Sequence, residues 1–436
     1  MRTVREESRD IPVVADVDVV VAGGGPAGVA AATAAARLGA RTLLVERYGH
    51  LGGLATGGLV LLMDDLFDRQ GQRCIGGILW EAMERLKVID GLAEERPTRI
   101  HADSELLKVV CDDLCSQAGV ALRLHSWAVE AVVDDNSVKG VIVESKSGRQ
   151  AVLAKVVVDA TGDGDIAALA GAKFEKFTMR IGLNLKLGGV DLDAYKTFRR
   201  ENSQASHALR QELEALGGYP MDCGPTPYSN MGVYWVNILG LANPEGTEPR
   251  PYPNGDPFYG ELDAVDVETL SFAEVDLRRR IMIGLDFYKR NVPGYERVCL
   301  LSFASQLGVR DSRRITGAHC LTRAEMDAGV QFDDTIGMTG TTYRNGNHLE
   351  VPYRALVPAA TDGLLTAGRC ISVDSGLIHS IRLIPPAMMT GQAAGTAAAL
   401  CVHEAVQPRE LDTSQLRKQL EANDAVLPRV VEAEAI

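Results

Sequence analysis

Clustered cysteine is what this sequence has least of. Its eight cysteines lie apart, at Cys74, Cys111, Cys115, Cys223, Cys299, Cys320, Cys370 and Cys401. Only Cys111 and Cys115 are close, and their spacing puts both on one face of a helix, where core packing is the expectation. No second pair completes a zinc ligand set and no spacing suits an iron–sulfur cluster, so neither metal is expected. Positive charge is short as well: 45 Lys and Arg against 58 Asp and Glu leave a net charge of −13. Such a chain repels phosphate, which argues against nucleic acid or an anionic membrane as partner. Residues 19–36 carry no charge, yet a glycine–proline turn at 23–26 breaks that run, so no membrane span is expected. The opening MRTVREESRD is too polar for a secretory leader, and a cytoplasmic location is the expectation.

What is present is an ordinary globular composition, 46% apolar and 24% charged over 436 residues. That length suits two or three domains around a large core. Residues 17–56 are the most telling stretch. Val17, Val19, Val20 and Val21 run into Gly23-x-Gly25-x-x-Gly28, and an alanine-rich segment follows. A second apolar run at 42–45 then ends on Glu46. Gly23 allows a sharp turn, Gly25 lets a pyrophosphate approach bare backbone, and Gly28 lets the helix pack close to the strand. The helix start at Pro26 and Ala27 turns free N–H groups toward phosphate. Glu46 stands where a carboxylate accepts hydrogen bonds from a ribose diol. Strand, turn, helix, strand and acid in this order predict a bound adenine dinucleotide.

The pieces that follow decide which dinucleotide. After Arg47 comes a second glycine-rich loop, Gly52-Gly53-Leu54-Ala55-Thr56-Gly57-Gly58, suited to wrapping a longer cofactor toward a flavin half. Residues 103–119 read as a capped helix. Short strands at 120–125, 128–133, 138–144 and 151–153, with a turn at 134–137, predict a small meander inserted into a parallel sheet. The chain returns through a buried strand that ends in Ala160-Thr161-Gly162-Asp163-Gly164-Asp165. Small residues at the carboxyl end of a parallel strand mark the crevice where cofactors lie. A third strand runs from 362 into Gly368-Arg369-Cys370 and leads to a segment opened by Pro385 and Pro386. Proline suits the first turn of a helix, and Gly391 and Gly395 let that helix lie close to its neighbours.

As a set, GGGPAG with Glu46 and Arg47, the GG-x-AT loop, DATGDGD and DGLLTAGRC…SIRLIPPAMMTGQAAGTAAAL resemble one family. It is the FAD-dependent oxidoreductase family of the glutathione-reductase-type flavoprotein fold, which also contains the flavoprotein subunits of fumarate reductase and succinate dehydrogenase. The resemblance covers about residues 15–165 and 355–402 and touches GVRDSRRITGAHCLT and HLEVPYRALVP. It implies an α/β chain: a Rossmann-like FAD-binding domain with an inserted β-meander, residues 1–170 and 352–436, and a discontinuous α+β substrate domain at 171–351. It further implies that Gly23, Gly25, Pro26, Ala27 and Gly28 hold the pyrophosphate, and that Glu46 and Arg47 bind the AMP ribose and its surroundings. Gly53, Leu54, Ala55 and Thr56 would follow the ribityl chain and flavin. Val129 would meet the adenine by its backbone, with Ala160, Thr161 and Gly162 at the same end. Gly368 and Arg369 would cover pyrophosphate and ribityl, and the helix opening at Ile384 and Pro385 would aim its positive end at the flavin N1–C2 edge. A second GxGxxG and a CxxxxC redox pair are both absent, which excludes the disulfide-reductase branch. Electrons are then exchanged with a small-molecule substrate and a separate acceptor or donor, while the oligomeric state stays open.

The middle of the chain is the least readable. Alternation at 181–190 and 231–240 predicts antiparallel strands, 266–288 a long amphipathic helix, and 243–260 a surface excursion serving as lid or oligomer contact. His379 and Arg382 precede the flavin-facing helix and are candidates for substrate anchoring and proton transfer, or for a helix-start hydrogen bond. Arg310, in Gly308-Val-Arg310-Asp311-Ser-Arg313-Arg314, either binds a carboxylate or cofactor phosphate or joins an interdomain network. The polar cluster at 343–348 is a loop over the flavin or a solvated turn. His50 is a candidate for covalent flavin attachment at a spacing unlike that of its relatives, and His125, His319 and His403 are expected to be structural. The resulting reading is hydride transfer between a small molecule and flavin N5. A flavin monooxygenase, and a redox-neutral enzyme or binding protein that uses FAD, are the alternatives.

Overall fold

The computed structural model describes residues 2–5, 8–68, 71–96, 99–177, 179–241, 250–251, 257–258, 262–340 and 349–428. The expected excursion at 243–260 lies almost wholly outside these residues, and the polar cluster at 343–348 lies outside them entirely.

The first strand, Val13–Ala22, ends in a fully buried run. It pairs in parallel with Thr42–Val45 on one side and with Gly148–Asp159 on the other. Thr42–Val45 in turn pairs in parallel with Ala121–Arg123, and Gly148–Asp159 with Leu364–Thr366. Side chains alternate between the two faces of a strand. Val19 and Val21 therefore meet the helix-side core, whereas Val20 and Ala22 meet a second core with Val138, Val141, Val143 and Val152 of the meander.

The meander differs from expectation in one respect. Its strands are Trp127–Asp134, Ser137–Ser145 and Gly148–Asp159, joined in antiparallel register. The last is a single strand of twelve residues, pairing with the meander through its first half and with Leu364–Thr366 through its end. Ala121–Arg123, expected to belong to the meander, is an edge strand of the parallel sheet. Asp135 and Asn136 adopt positive φ at the tight turn, a conformation in which Asn and Asp are favoured.

Two helices set the geometry of the helix layer. Pro26–Arg37 begins with its proline in the first turn, and Ile384–Glu404 crosses it at very close range. A Cβ added at Gly391 would stand 2.1 Å from the Ala27 carbonyl oxygen, and one at Gly395 would stand 2.0 Å from that of Ala31. Only glycine permits this approach. Ser104–Ala118 is capped by Asp103, whose carboxylate accepts from the Glu105 and Leu106 amides.

A separate core gathers Leu59, Leu61 and residues between Ile181 and Val309 around a four-stranded antiparallel sheet. That sheet runs Cys223–Gly224, Tyr234–Val236, Leu185–Gly188, Cys299–Phe303. Val267–Asn291, capped by Asp266, packs Phe272, Leu277, Ile281 and Leu285 into this core. Leu321, Ile336, Leu349 and Val351, placed by the sequence reading in the substrate domain, pack into the helix-side core of the parallel sheet. The physical reason is the docking of Thr335–Thr339 on the buried helix: a Cβ at Gly337 would stand 2.3 Å from the Met389 sulfur. Among the described residues no helix is long and apolar enough to cross a membrane.

Candidate functional site

A cleft of about 1040 Å³, part of it open to solvent, lies at the carboxyl ends of the parallel strands. This is where open α/β sheets bind ligands, and it is at the upper end of the usual size of a cofactor site. It brings together Gly23, Gly25, Pro26 and Ala27 of the first turn, Glu46 and Arg47 after the second strand, and Gly53 and Leu54 of the glycine loop. Ala160, Thr161, Gly162, Gly368, Arg369, Arg382 and Ile384 complete the expected set found there.

Each piece has a local cause. Gly23 adopts φ +97°, and a Cβ on it would stand 2.6 Å from the Ala160 carbonyl oxygen, so two strand ends meet across bare backbone. At Gly25 the space is open: the nearest atom to an added Cβ is the Gly53 α-carbon, at 4.0 Å. Glu46 accepts from the Gly24 amide at 2.6 Å and from the Tyr48 amide at 2.8 Å. Those bonds orient its carboxylate while each oxygen keeps a lone pair. Asp159 is fully buried and organises the DATGDGD turn by accepting from the Thr161 amide and hydroxyl and the Ala167 amide. Burial pushes its carboxyl up to about 6. Asp163 then holds the Arg369 guanidinium at 2.6 Å and the Ser312 hydroxyl at 2.6 Å, while Asp165 holds Arg313 at 2.7 Å. At the opposite mouth the Arg47 guanidinium stands 5.0 Å from the Tyr48 ring and 5.7 Å from the Trp127 ring.

Several expected residues stand elsewhere. Gly28 lies beneath the turn, where an added Cβ would stand 1.8 Å from the Gly23 oxygen, so it serves packing. Ala55 and Thr56 face the interior, and the Thr56 hydroxyl donates to the Leu51 carbonyl at 2.6 Å. Val129 is not among the lining residues; Ser126, Trp127 and Ala128 line the cleft there, and the strand pairing is irregular between Ala128 and Glu130. Arg310 lies outside the lining and donates to the Arg180 and Leu239 carbonyls, at 3.1 and 2.8 Å, tying three segments together. Burial, then Arg382 and Arg180, lower its guanidinium to about 10. His50 stacks on Tyr48 and meets the Thr56 hydroxyl and the Leu51 carbonyl; it does not line the cleft.

His379 belongs to a second cavity of about 1010 Å³, lined also by Arg323, Met326, Leu349, Leu377 and Leu383. Arg382 lines both cavities. Burial, then the charges of Arg382 and Arg310, hold His379 below the ordinary histidine value. Sequence reasoning missed Tyr48, Trp127, Gln306, Leu307, Val309 and Ala387 in the cleft. Asp163 and Asp165 stood in a motif already recognised, Gln306 and Leu307 immediately precede the Arg310 motif, and Val309 lies within it. Nothing local marked them as lining residues.

A family model described as FAD dependent oxidoreductase matches residues 18–420. The chain belongs to the FAD-dependent oxidoreductase family. Its cofactor is FAD, and the cleft fits that group on one observation. Gly25 leaves open the space a phosphate needs beside the helix start. At the helix opening on Ile384, Pro385 and Pro386 have no N–H and the Ala387 amide is bonded to Leu383. The Ile384 amide and the helix dipole are what that end offers.

This family member is 28% identical over 232 residues to a tRNA uridine 5-carboxymethylaminomethyl modification enzyme, MnmG, of Wolinella succinogenes, covering 49% of this chain and 36% of that protein. It is 30% identical over 155 residues to a thiamine thiazole synthase of Methanococcus vannielii, covering 34% of this chain and 56% of that protein. The chain thus spans between about a third and about a half of the curated relatives it matches. Among solved structures, p-nitrophenol 4-monooxygenase PnpA of Pseudomonas putida superposes with a TM-score of 0.48 at 13% identity, covering 94% of this chain and 89% of that one.

Proposed function

We propose that this oxidoreductase is of the glutathione-reductase-type flavoprotein kind and transfers a hydride between a small molecule and the cofactor, with a separate partner taking or supplying the electrons. One observation carries the reading: Arg382 stands between the cofactor cleft and the cavity that holds His379. FAD supplies a two-electron acceptor or donor at its N5 position. The cavity beside His379 holds the substrate, with Met326, Leu349, Leu377 and Leu383 excluding water from one side. His379, exposed at the edge of that cavity and held below its ordinary value by partial desolvation and then by Arg382 and Arg310, takes the substrate proton while the neighbouring C–H bond gives up its hydride. In the reverse direction the same imidazole returns the proton. Arg382 orients the substrate from the side that borders the cleft. Arg310 touches neither cavity lining and acts as a positioning residue through the segments it ties together.

The test is anaerobic. Candidate substrates mixed with the FAD-loaded protein without oxygen should bleach the visible flavin bands, and His379→Asn should slow that bleaching by roughly 10²–10⁴-fold, the usual contribution of a positioned acid or base. Bleaching that needs no substrate proton acceptor, or product that carries an oxygen atom from O2, would overturn the reading.

A further inference from the structure

Trp127 stands out among the exposed side chains. It is the largest apolar group in the cleft lining, yet it is 55% exposed. Its place follows from the residues just before it. The Ser126 amide donates to the Glu46 carbonyl at 3.0 Å, and the His125 amide to the Tyr48 carbonyl at 3.2 Å. Residues 46–48 and 125–127 are thus held side by side, and Glu46 and Trp127 both line the cleft. The Arg47 guanidinium lies over the Tyr48 ring at 5.0 Å and over the Trp127 ring at 5.7 Å, which ties the same two segments through their side chains. Glu46 follows the strand Thr42–Val45, on the side of Val13–Ala22 away from Gly148–Asp159. A dinucleotide with its pyrophosphate at the helix start on Pro26 sets its ribose against that acid, and the base lies beyond the ribose. What the cleft offers next to Glu46 is the indole of Trp127. A half-exposed indole keeps apolar area and a ring face available, and a purine covers both.

We propose that the adenine ring of FAD stacks on the Trp127 indole, which makes this side chain the outer wall of the adenine pocket. Stacking asks for a flat face and not for a pattern of donors, so it adds grip without reading the edge of the base. The inference rests on Glu46 marking the ribose and is independent of hydride transfer at the other half of the cofactor. Failure of either leaves the other standing.

The experiment compares Trp127→Phe, which keeps a ring, with Trp127→Leu, which keeps apolar bulk and loses the flat face. FAD affinity is read by fluorescence titration. Trp127→Leu should weaken FAD roughly tenfold to hundredfold, the usual loss when a base loses its aromatic platform, and Trp127→Phe should hold FAD clearly tighter than Trp127→Leu. ADP, which carries the adenine and pyrophosphate without the flavin, is the second probe. It should quench part of the tryptophan emission of the wild-type protein and none of that of Trp127→Phe, in which Trp80 and Trp235 remain. Equal FAD affinity in the Phe and Leu variants would overturn the proposal, since bulk alone would then account for the contact. An ADP titration that leaves the Trp127 emission unchanged would overturn it as well.

Discussion

Single side chains in the cleft make predictions that differ in kind. Glu46 accepts two backbone amides, one on each oxygen. Glu46→Gln keeps the shape but sets an NH2 group against one of those N–H donors and removes the charge. A hydrogen bond to a charged group contributes about 1.5–3 kcal/mol, so FAD affinity should fall roughly tenfold to hundredfold, as a fluorescence titration would read. Unaltered affinity would show that Glu46 serves the loop and not the ribose. His379 makes a prediction about pH. Its folded value lies below the ordinary one through burial first, then Arg382 and Arg310. The neutral imidazole is the base, so in the oxidative direction kcat/KM should climb as pH rises through that lowered value and level off above it. Arg382→Met removes a cation beside the ring and lets the value recover, so the limb should move to higher pH even as the maximum rate falls. A limb that stays in place would assign the titration to another group.

Elements carry the next scale, and the crossing of Pro26–Arg37 with Ile384–Glu404 is the tightest of them. Gly391 and Gly395 face the Ala27 and Ala31 carbonyls with no room for a Cβ. Gly395→Val should therefore force the helices apart and cost on the order of 1–3 kcal/mol or more. The same displacement should spread the cleft, because the helix also holds Gly368 through the Thr390 hydroxyl at 3.0 Å. The check is a lowered thermal midpoint together with FAD lost on gel filtration; loss of stability with full FAD retention would separate the crossing from the site. This crossing was legible in the sequence, as was the turn before it, because glycine and alanine at helical spacing have few uses other than close approach. The meander was legible in outline, because alternation and an Asp–Asn turn are local signals. Ala121–Arg123 was assigned to the wrong neighbours because which strand an edge strand pairs with is a tertiary fact. Val129 was expected beside the adenine, whereas Ser126, Trp127 and Ala128 line the cleft, next to an irregularity in pairing that the alternation does not reveal. Gln306 had no pattern at all, since its place in the cleft wall follows from the neighbouring Ser305 amide bonding the Gly57 carbonyl, far away in the chain.

At the scale of the whole molecule two cores must be held in one arrangement for the cleft to have both walls. Which core takes Leu321, Ile336, Leu349 and Val351 is not legible in the sequence, because it is chosen by the face they dock on and not by their neighbours in the chain. One buried ion pair spans the cores. Lys186, on the strand Leu185–Gly188, places its ammonium 3.1 Å from the Asp103 carboxylate and 2.9 Å from the Ser104 hydroxyl. The two side chains are 12% and 2% exposed. Asp103 also caps Ser104–Ala118 through its other oxygen, so the two partners are not equivalent. Lys186→Met leaves that cap in place and replaces the buried stem with an apolar one of similar length, a change that buried pairs often tolerate. Asp103→Ala removes the cap, worth about 1 kcal/mol, and strands a buried ammonium, for which about 3–5 kcal/mol is typical. Urea unfolding should rank Asp103→Ala well below Lys186→Met. Adding Lys186→Met to Asp103→Ala should recover much of the loss, because the stranded charge goes with it. Strict additivity in that cycle would mean that the pair does not couple the cores, and that apolar contact alone keeps Gln306, Leu307 and Val309 in the wall of the cleft.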